Sequence, residues 1–104
     1  MLRFFCIGLL WLMGMSAACA SAYDDYSQGL AAKNRGDFDF ALTKFTAALN
    51  APDLNPELIP VAHVQRGRLR LHNLACAEAL EDFEAALKAK PGDLAAIGGR
   101  GVSY

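Results

Sequence analysis

Apolar positions between residues 38 and 49 recur at steps of three and four, which places them on one stripe of an α-helix. Residues 76–88 repeat this pattern, and the preceding segments, 23–33 and about 60–72, contain few helix breakers. A shorter apolar segment follows at 94–104, and no segment alternates in the way a β-strand does. The pattern therefore predicts two pairs of helices and a short closing helix.

The two predicted pairs match each other at one constant offset along the chain. The matching positions are Ala41, Leu42, Phe45, Ala48 and Leu49 with Ala79, Leu80, Phe83, Ala86 and Leu87, and Gly29 with Gly67. Gly67 recurs as Gly101 after a slightly shorter interval. A period in the thirties, with two helical segments in each copy, is typical of stacked helical hairpins. The extra length of the first period falls in the Pro-bounded connection around residues 50–60, where insertions cost little.

The turns inside the two pairs differ in sequence. The first, at residues 34–37, contains Gly36 and ends at Asp37, which we expect to cap the next helix. The second, at residues 72–75, has no glycine. Because asparagine tolerates a left-handed conformation better than most residues, Asn73 is expected to take it there.

Residues 1–22 have the layout of a secretory signal peptide. Arg3 precedes an apolar run at residues 4–15, and two Ala-x-Ala sites follow at 18–20 and 20–22, which predicts a mature start at Ser21 or Tyr23. One alternative is an uncleaved anchor, and another is a lipoprotein acylated at Cys19. All three place the body of the protein outside the cytoplasm, in the periplasm or the medium.

Composition and charge exclude some classes of partner. Without Arg3 the chain has nine Lys and Arg against eleven Asp and Glu, which gives no electrostatic reason for binding nucleic acid or an anionic membrane surface. Beyond the leader, Cys76 is the remaining cysteine. It matches Phe38 of the first pair, so burial as a small apolar side chain is favoured over pairing between chains.

The segments GDFDFALTKFTAALN and EALEDFEAALKAKPGD resemble the second helices of tetratricopeptide repeats. The resemblance implies an all-α fold, in which antiparallel helix-turn-helix repeats stack as a short right-handed superhelix. Repeat 1 would cover about 22–52, repeat 2 about 60–93, and a partial repeat or capping helix 94–104. The residues expected to pack the repeats are Gly29, Ala41, Phe45, Ala48, Gly67, Ala79, Phe83, Ala86 and Gly101. Asp25 and His63 depart from the family's pattern, which has a large aromatic residue there.

The resemblance also implies a concave groove, lined by the first helix of each repeat, that holds an extended peptide or a partner's helix. The matching positions here are Tyr23, Tyr26, Leu30, Lys33, Asn34, Gln65, Arg68 and His72. Aromatic rings beside cations suit a peptide that carries a carboxylate or an aromatic residue. The alternative is that these side chains are only exposed helix surface. The family's clamp for chaperone tails is not matched, because Tyr26 and Leu30 stand at its positions.

Other polar residues give little indication of chemistry. Arg66 and Arg70 share a helix face that Arg68 does not, so we expect a solvated, partly ion-paired face rather than a phosphate site. His63 and His72 have no metal-ligand spacing, and no cofactor motif or catalytic constellation can be assembled.

The sequence therefore predicts an exported, non-enzymatic scaffold for a protein or peptide partner, without metal or cofactor. Alternatives are a membrane-tethered assembly component acylated at Cys19 and a docking segment of a longer protein. The glycines of the closing segment favour completion of the stack by a second copy or by further repeats.

Overall fold

A computed structural model describes residues 21–104, which form five α-helices and no strand. The helices are α1 (Ala22–Arg35), α2 (Phe38–Asn50), α3 (Leu58–His72), α4 (Cys76–Ala89) and α5 (Leu94–Ser103). The all-α prediction is confirmed for this range. Residues 1–20 of the predicted signal peptide, with Cys19, lie outside the described residues. None of the five helices is both long and apolar enough to span a bilayer.

The start of α1 is fixed by a capping box. The Ser21 hydroxyl accepts a hydrogen bond from the Asp24 N–H at 3.1 Å, and the Asp24 carboxylate accepts one from the Ser21 N–H at 3.4 Å. The start of α2 is different, since the Asp37 side chain makes no capping hydrogen bond and that expectation is wrong. The Asp37 backbone N–H instead donates to the Ala32 carbonyl at 2.9 Å, which closes the preceding turn.

The turns that end α1 and α3 have the same hydrogen bonds at equivalent positions of the two pairs. The Asp37 N–H to Ala32 bond recurs from the Ala75 N–H to the Arg70 carbonyl at 2.8 Å. This geometry needs a left-handed residue just before the donor, and Gly36 takes it with φ 81°. In the second turn Leu74 takes it, with φ 60°, while Asn73 stays at φ −86°. The expectation for Asn73 is wrong because Leu74, and not Asn73, stands at the position equivalent to Gly36, directly before the N–H that closes the turn.

The helices pack on one another in chain order, and α5 packs on α3 as well as on α4. Two apolar clusters result. The first joins α1 and α2 with one side of α3, through Ala62 and Leu69, and the second joins α3, α4 and α5 around Phe83. Because α3 contributes to both clusters, burial of apolar surface links the two helical pairs.

Two glycines let the helices of each pair approach closely. A Cβ atom on Gly29 would lie 3.0 Å from the Phe45 ring, and one on Gly67 would lie 2.8 Å from the Phe83 ring. Both rings are completely buried. The predicted packing residues Ala41, Ala48, Ala79 and Ala86 are also completely buried.

Gly101 does not have the packing position expected of it. It is exposed, and a Cβ atom there would meet nothing within 4 Å. Gly99 makes the close approach instead, since its Cβ would lie even nearer to the Phe83 ring than that of Gly67. Phe83 therefore lies between Gly67 on α3 and Gly99 on α5.

Cys76 is exposed, so the expectation of burial is wrong. Its counterpart Phe38 is half-buried against the first apolar cluster, and its ring packs edge-on against His72, with centroids 4.5 Å apart.

Candidate functional site

A buried carboxylate lies between α3 and α4. The Asp82 side chain is 1% exposed and accepts hydrogen bonds from three basic side chains, which we call the Asp82 cluster with it. The nearest contacts are His63 Nδ1 to Oδ1 at 2.9 Å, Arg66 Nη2 to Oδ1 at 2.7 Å and Arg70 Nη1 to Oδ2 at 2.7 Å. Every polar atom of the carboxylate is therefore paired.

The donors hold Asp82 ionised. Burial alone would raise the pKa of this carboxyl, but the hydrogen bonds from His63 and Arg66 and the charges of Arg66 and Arg70 outweigh it and leave the pKa below the usual value. Arg66 also donates from Nη1 to the Thr46 hydroxyl on α2 at 3.4 Å. The expected ion pairing of Arg66 and Arg70 is present, but it is largely buried rather than solvated.

A second polar group connects the first helices of the two pairs. The Lys33 ammonium on α1 donates to Oε1 of Gln65 on α3, and Arg68 lies on α3 one turn after Gln65. We call these three residues the Lys33 cluster. Burial and, to a lesser degree, the charge of Arg68 lower the pKa of Lys33. All three side chains belong to the predicted groove set.

Tyr26 belongs to the core rather than to a groove. Its side chain is 8% exposed and packs edge-on against Phe45, with centroids 5.9 Å apart, and burial raises the pKa of its hydroxyl. The equivalent residue of the second pair is Val64, which is also buried. The expectation that Tyr26 offers its ring to a partner is wrong.

The remaining predicted groove residues differ in how far they are exposed. His72 is exposed, but its ring packs on Phe38 of α2. Leu30 is half-buried against the first apolar cluster. Tyr23 at the start of α1 is 62% exposed, and Asn34 at its end is exposed.

Sequence reasoning missed the Asp82 cluster, although a signal was present. Asp82 stands on the apolar stripe of α4, between Ala79 and Ala86 and next to Phe83. A carboxylate on such a stripe must be paired when the stripe is buried. The basic residues available for pairing were those of α3, which contains no Asp or Glu.

Within residues 21–104, no group of three or more His, Cys, Asp or Glu side chains has the arrangement of a metal site. No protein-family model matches the chain, and neither a curated protein nor a solved structure matches it.

Proposed function

We propose that this chain is an exported, non-enzymatic scaffold of the tetratricopeptide type, which holds a partner's peptide or helix along a groove formed by α1, α3 and α5. Its helical pairs would stack as a short right-handed superhelix. The partner would lie against the first helices, while the second helices α2 and α4 would form the opposite side.

The observation that carries this proposal is the repetition of one contact. The Gly29 to Phe45 contact inside the first pair recurs as the Gly67 to Phe83 contact inside the second, at the constant offset of the sequence repeat. Phe83 then also contacts Gly99 on the next first helix. Identical contacts at a constant sequence interval are what a stack of hairpins requires, because each hairpin has an apolar face that only the next one covers.

The Lys33 cluster supports the choice of face. The hydrogen bond from Lys33 to Gln65 joins α1 to α3, so a ligand touching the cluster would contact two successive first helices. The Asp82 cluster gives the complementary argument, since its donors are already satisfied and offer little to a ligand.

Selection of peptides tests the binding role. A phage-displayed peptide library is selected on the purified protein, and the selected peptides are then measured on three variants. Arg68→Glu and Tyr23→Ala change exposed residues on the proposed face, and Lys88→Glu changes an exposed residue of α4 as the matched control. We expect weaker binding to the first two variants and unchanged binding to the third. Equal binding to all three would show that another surface is used, and failure to select any peptide would count against the scaffold role.

Mass spectrometry of the protein isolated from its producing cells tests export. We expect a mature start at Ser21, because cleavage after Ala20 retains the capping box of α1. Cleavage after Ala22 would remove that box together with the 3.4 Å hydrogen bond from the Ala22 N–H to Asp53. A diacylated Cys19 at the new N-terminus would instead support the membrane-tethered alternative, and an intact Met1 would contradict export by cleavage.

A further inference from the structure

The Lys33 cluster presents hydrogen-bond donors and no acceptor. An ammonium group has no acceptor atom, so the Gln65 atom that faces Lys33 must be the amide oxygen. The Gln65 amide nitrogen is therefore left to donate elsewhere. With the remaining N–H bonds of Lys33 and the guanidinium of Arg68, the cluster offers three kinds of donor and two positive charges.

No carboxylate of the described chain neutralises this cluster. Helix α3 contains no Asp or Glu, and the acidic residue that reaches it, Asp82, is bonded to the other face through Arg66 and Arg70. On α1 the acids are Asp24 and Asp25 in the first turn, which at 1.5 Å rise per residue lie roughly 12 Å or more along the axis from Lys33. Arg68 is exposed, and none of the ion pairs formed within residues 21–104 includes it.

The two positive charges act on each other. The charge of Arg68 adds to the effect of burial in lowering the pKa of Lys33, so the protonated ammonium is less stable there than in water. An anion bound between the two side chains would remove this repulsion and would gain charge-assisted hydrogen bonds.

We propose that Lys33, Gln65 and Arg68 bind the side-chain carboxylate of an aspartate or glutamate in a partner peptide. This inference rests on the proposed function, since it assumes that the peptide lies along the first helices. The cluster joins α1 to α3, and α5 continues the row beyond α3. A peptide that lies along α1, α3 and α5 would extend past the Lys33 cluster on both sides. It would therefore present a side chain to the cluster rather than its C-terminus.

The test compares defined peptide pools by NMR on the isotope-labelled protein. The first pool has the form X-X-Glu-X-X with both ends blocked, and its twin carries Gln in place of Glu. We expect the Glu pool to shift the side-chain resonances of Lys33 and Arg68 and to bind at least tenfold more tightly than the Gln pool, which is the effect of one charge-assisted contact of about 1.4 kcal/mol. Arg68→Glu should abolish this preference, while Lys88→Glu should keep it.

Three results would overturn the inference. Equal affinity of the Glu and Gln pools for the groove would leave the scaffold role standing and remove the carboxylate site. A Gln pool with a free C-terminus that bound as tightly as the blocked Glu pool would assign the cluster to a terminal carboxylate instead. Absence of any shift at Lys33 and Arg68 with both pools would remove the site, and the phage selection would decide separately whether the scaffold role falls with it.

Discussion

The two helical pairs share a backbone arrangement but join their helices by opposite polar contacts. In the first pair, Asp25 on α1 faces Lys44 on α2 at 3.5 Å. The equivalent positions of the second pair are His63 on α3 and Asp82 on α4, which are 2.9 Å apart. The acidic residue has moved from the first helix of the pair to the second, and the basic residue has moved the other way.

The two contacts also differ in burial. The Asp25 and Lys44 side chains are 18% and 25% exposed, so water competes for hydrogen bonds to both charged groups. The Asp82 side chain is 1% exposed, and its charge is paired with Arg66 and Arg70 as well as with His63. The same arrangement of two helices therefore accepts either a partly exposed ion pair or a buried network of ion pairs. Only in the second helical pair does the stability of the packing depend on a single carboxylate.

Removing the two central charges should therefore have very different effects. Asp82→Asn keeps the shape of the side chain but leaves two largely buried guanidinium groups without their counter-charge, so we expect a loss of about 3 kcal/mol in the free energy of unfolding. Lys44→Gln should cost at most about 1 kcal/mol. Urea denaturation followed by circular dichroism measures both. Similar losses in the two variants would show that the burial of Asp82 does not set the difference.

Acid should act through the same carboxylate. Because the pKa of folded Asp82 lies below its ordinary value near 3.8, this residue stabilises the fold fully above about pH 5. That contribution is lost as the pH falls from there through the lowered pKa of the folded state. Urea midpoints measured across this range should fall more steeply in the native protein than in Asp82→Asn. Parallel curves would mean that Asp82 has the same pKa folded and unfolded.

Adding one methyl group tests the close approaches. Gly67→Ala places a Cβ 2.8 Å from the buried Phe83 ring and should destabilise the protein by about 2 kcal/mol. Gly101→Ala is the matched control, since it lies in a helix with open space around it and should stabilise by up to about 1 kcal/mol. Thermal melting of both variants checks the difference in sign. A tolerated alanine at position 67 would show that the ring can move away.

Exchanging residues between the turns should give the smallest effect. Leu74 is 84% exposed and holds a left-handed conformation that costs about 1 kcal/mol for a residue with a Cβ. Leu74→Gly should therefore stabilise by about 1 kcal/mol, and Gly36→Leu should destabilise by a similar amount. Chemical denaturation compares the two. If Leu74→Gly were less stable than the native protein, Leu74 would have a packing role that its exposure does not indicate.

The helical content and the close glycine contacts inside the pairs could be predicted, because apolar spacing and the internal repeat depend on local periodicity. The predictions for Gly101 and Cys76 failed for a different reason. Both residues are exposed, so neither has the packing neighbour that its equivalent in the sequence repeat has. A repeat pattern states which residues are equivalent, but burial also requires a neighbouring helix.

The candidate site was predicted only in part. The order of the helices was enough to place Lys33, Gln65 and Arg68 on the first helix of each pair. The burial of Tyr26 could not be predicted in this way, because it depends on the rotation of α1 toward Phe45. Asp82 was not predicted, because helix spacing places Arg66 and Arg70 on one face of α3 but does not state which acidic residue of α4 meets them.

The proposed stack of two equivalent hairpins places the Phe83 ring between α3 and α5. Nuclear Overhauser contacts from the Phe45 and Phe83 rings to glycine Hα protons measure this directly. We predict contacts from Phe45 to Gly29 and from Phe83 to both Gly67 and Gly99. A spectrum in which Phe83 contacts neither glycine, while Phe45 contacts Gly29, would contradict the stack.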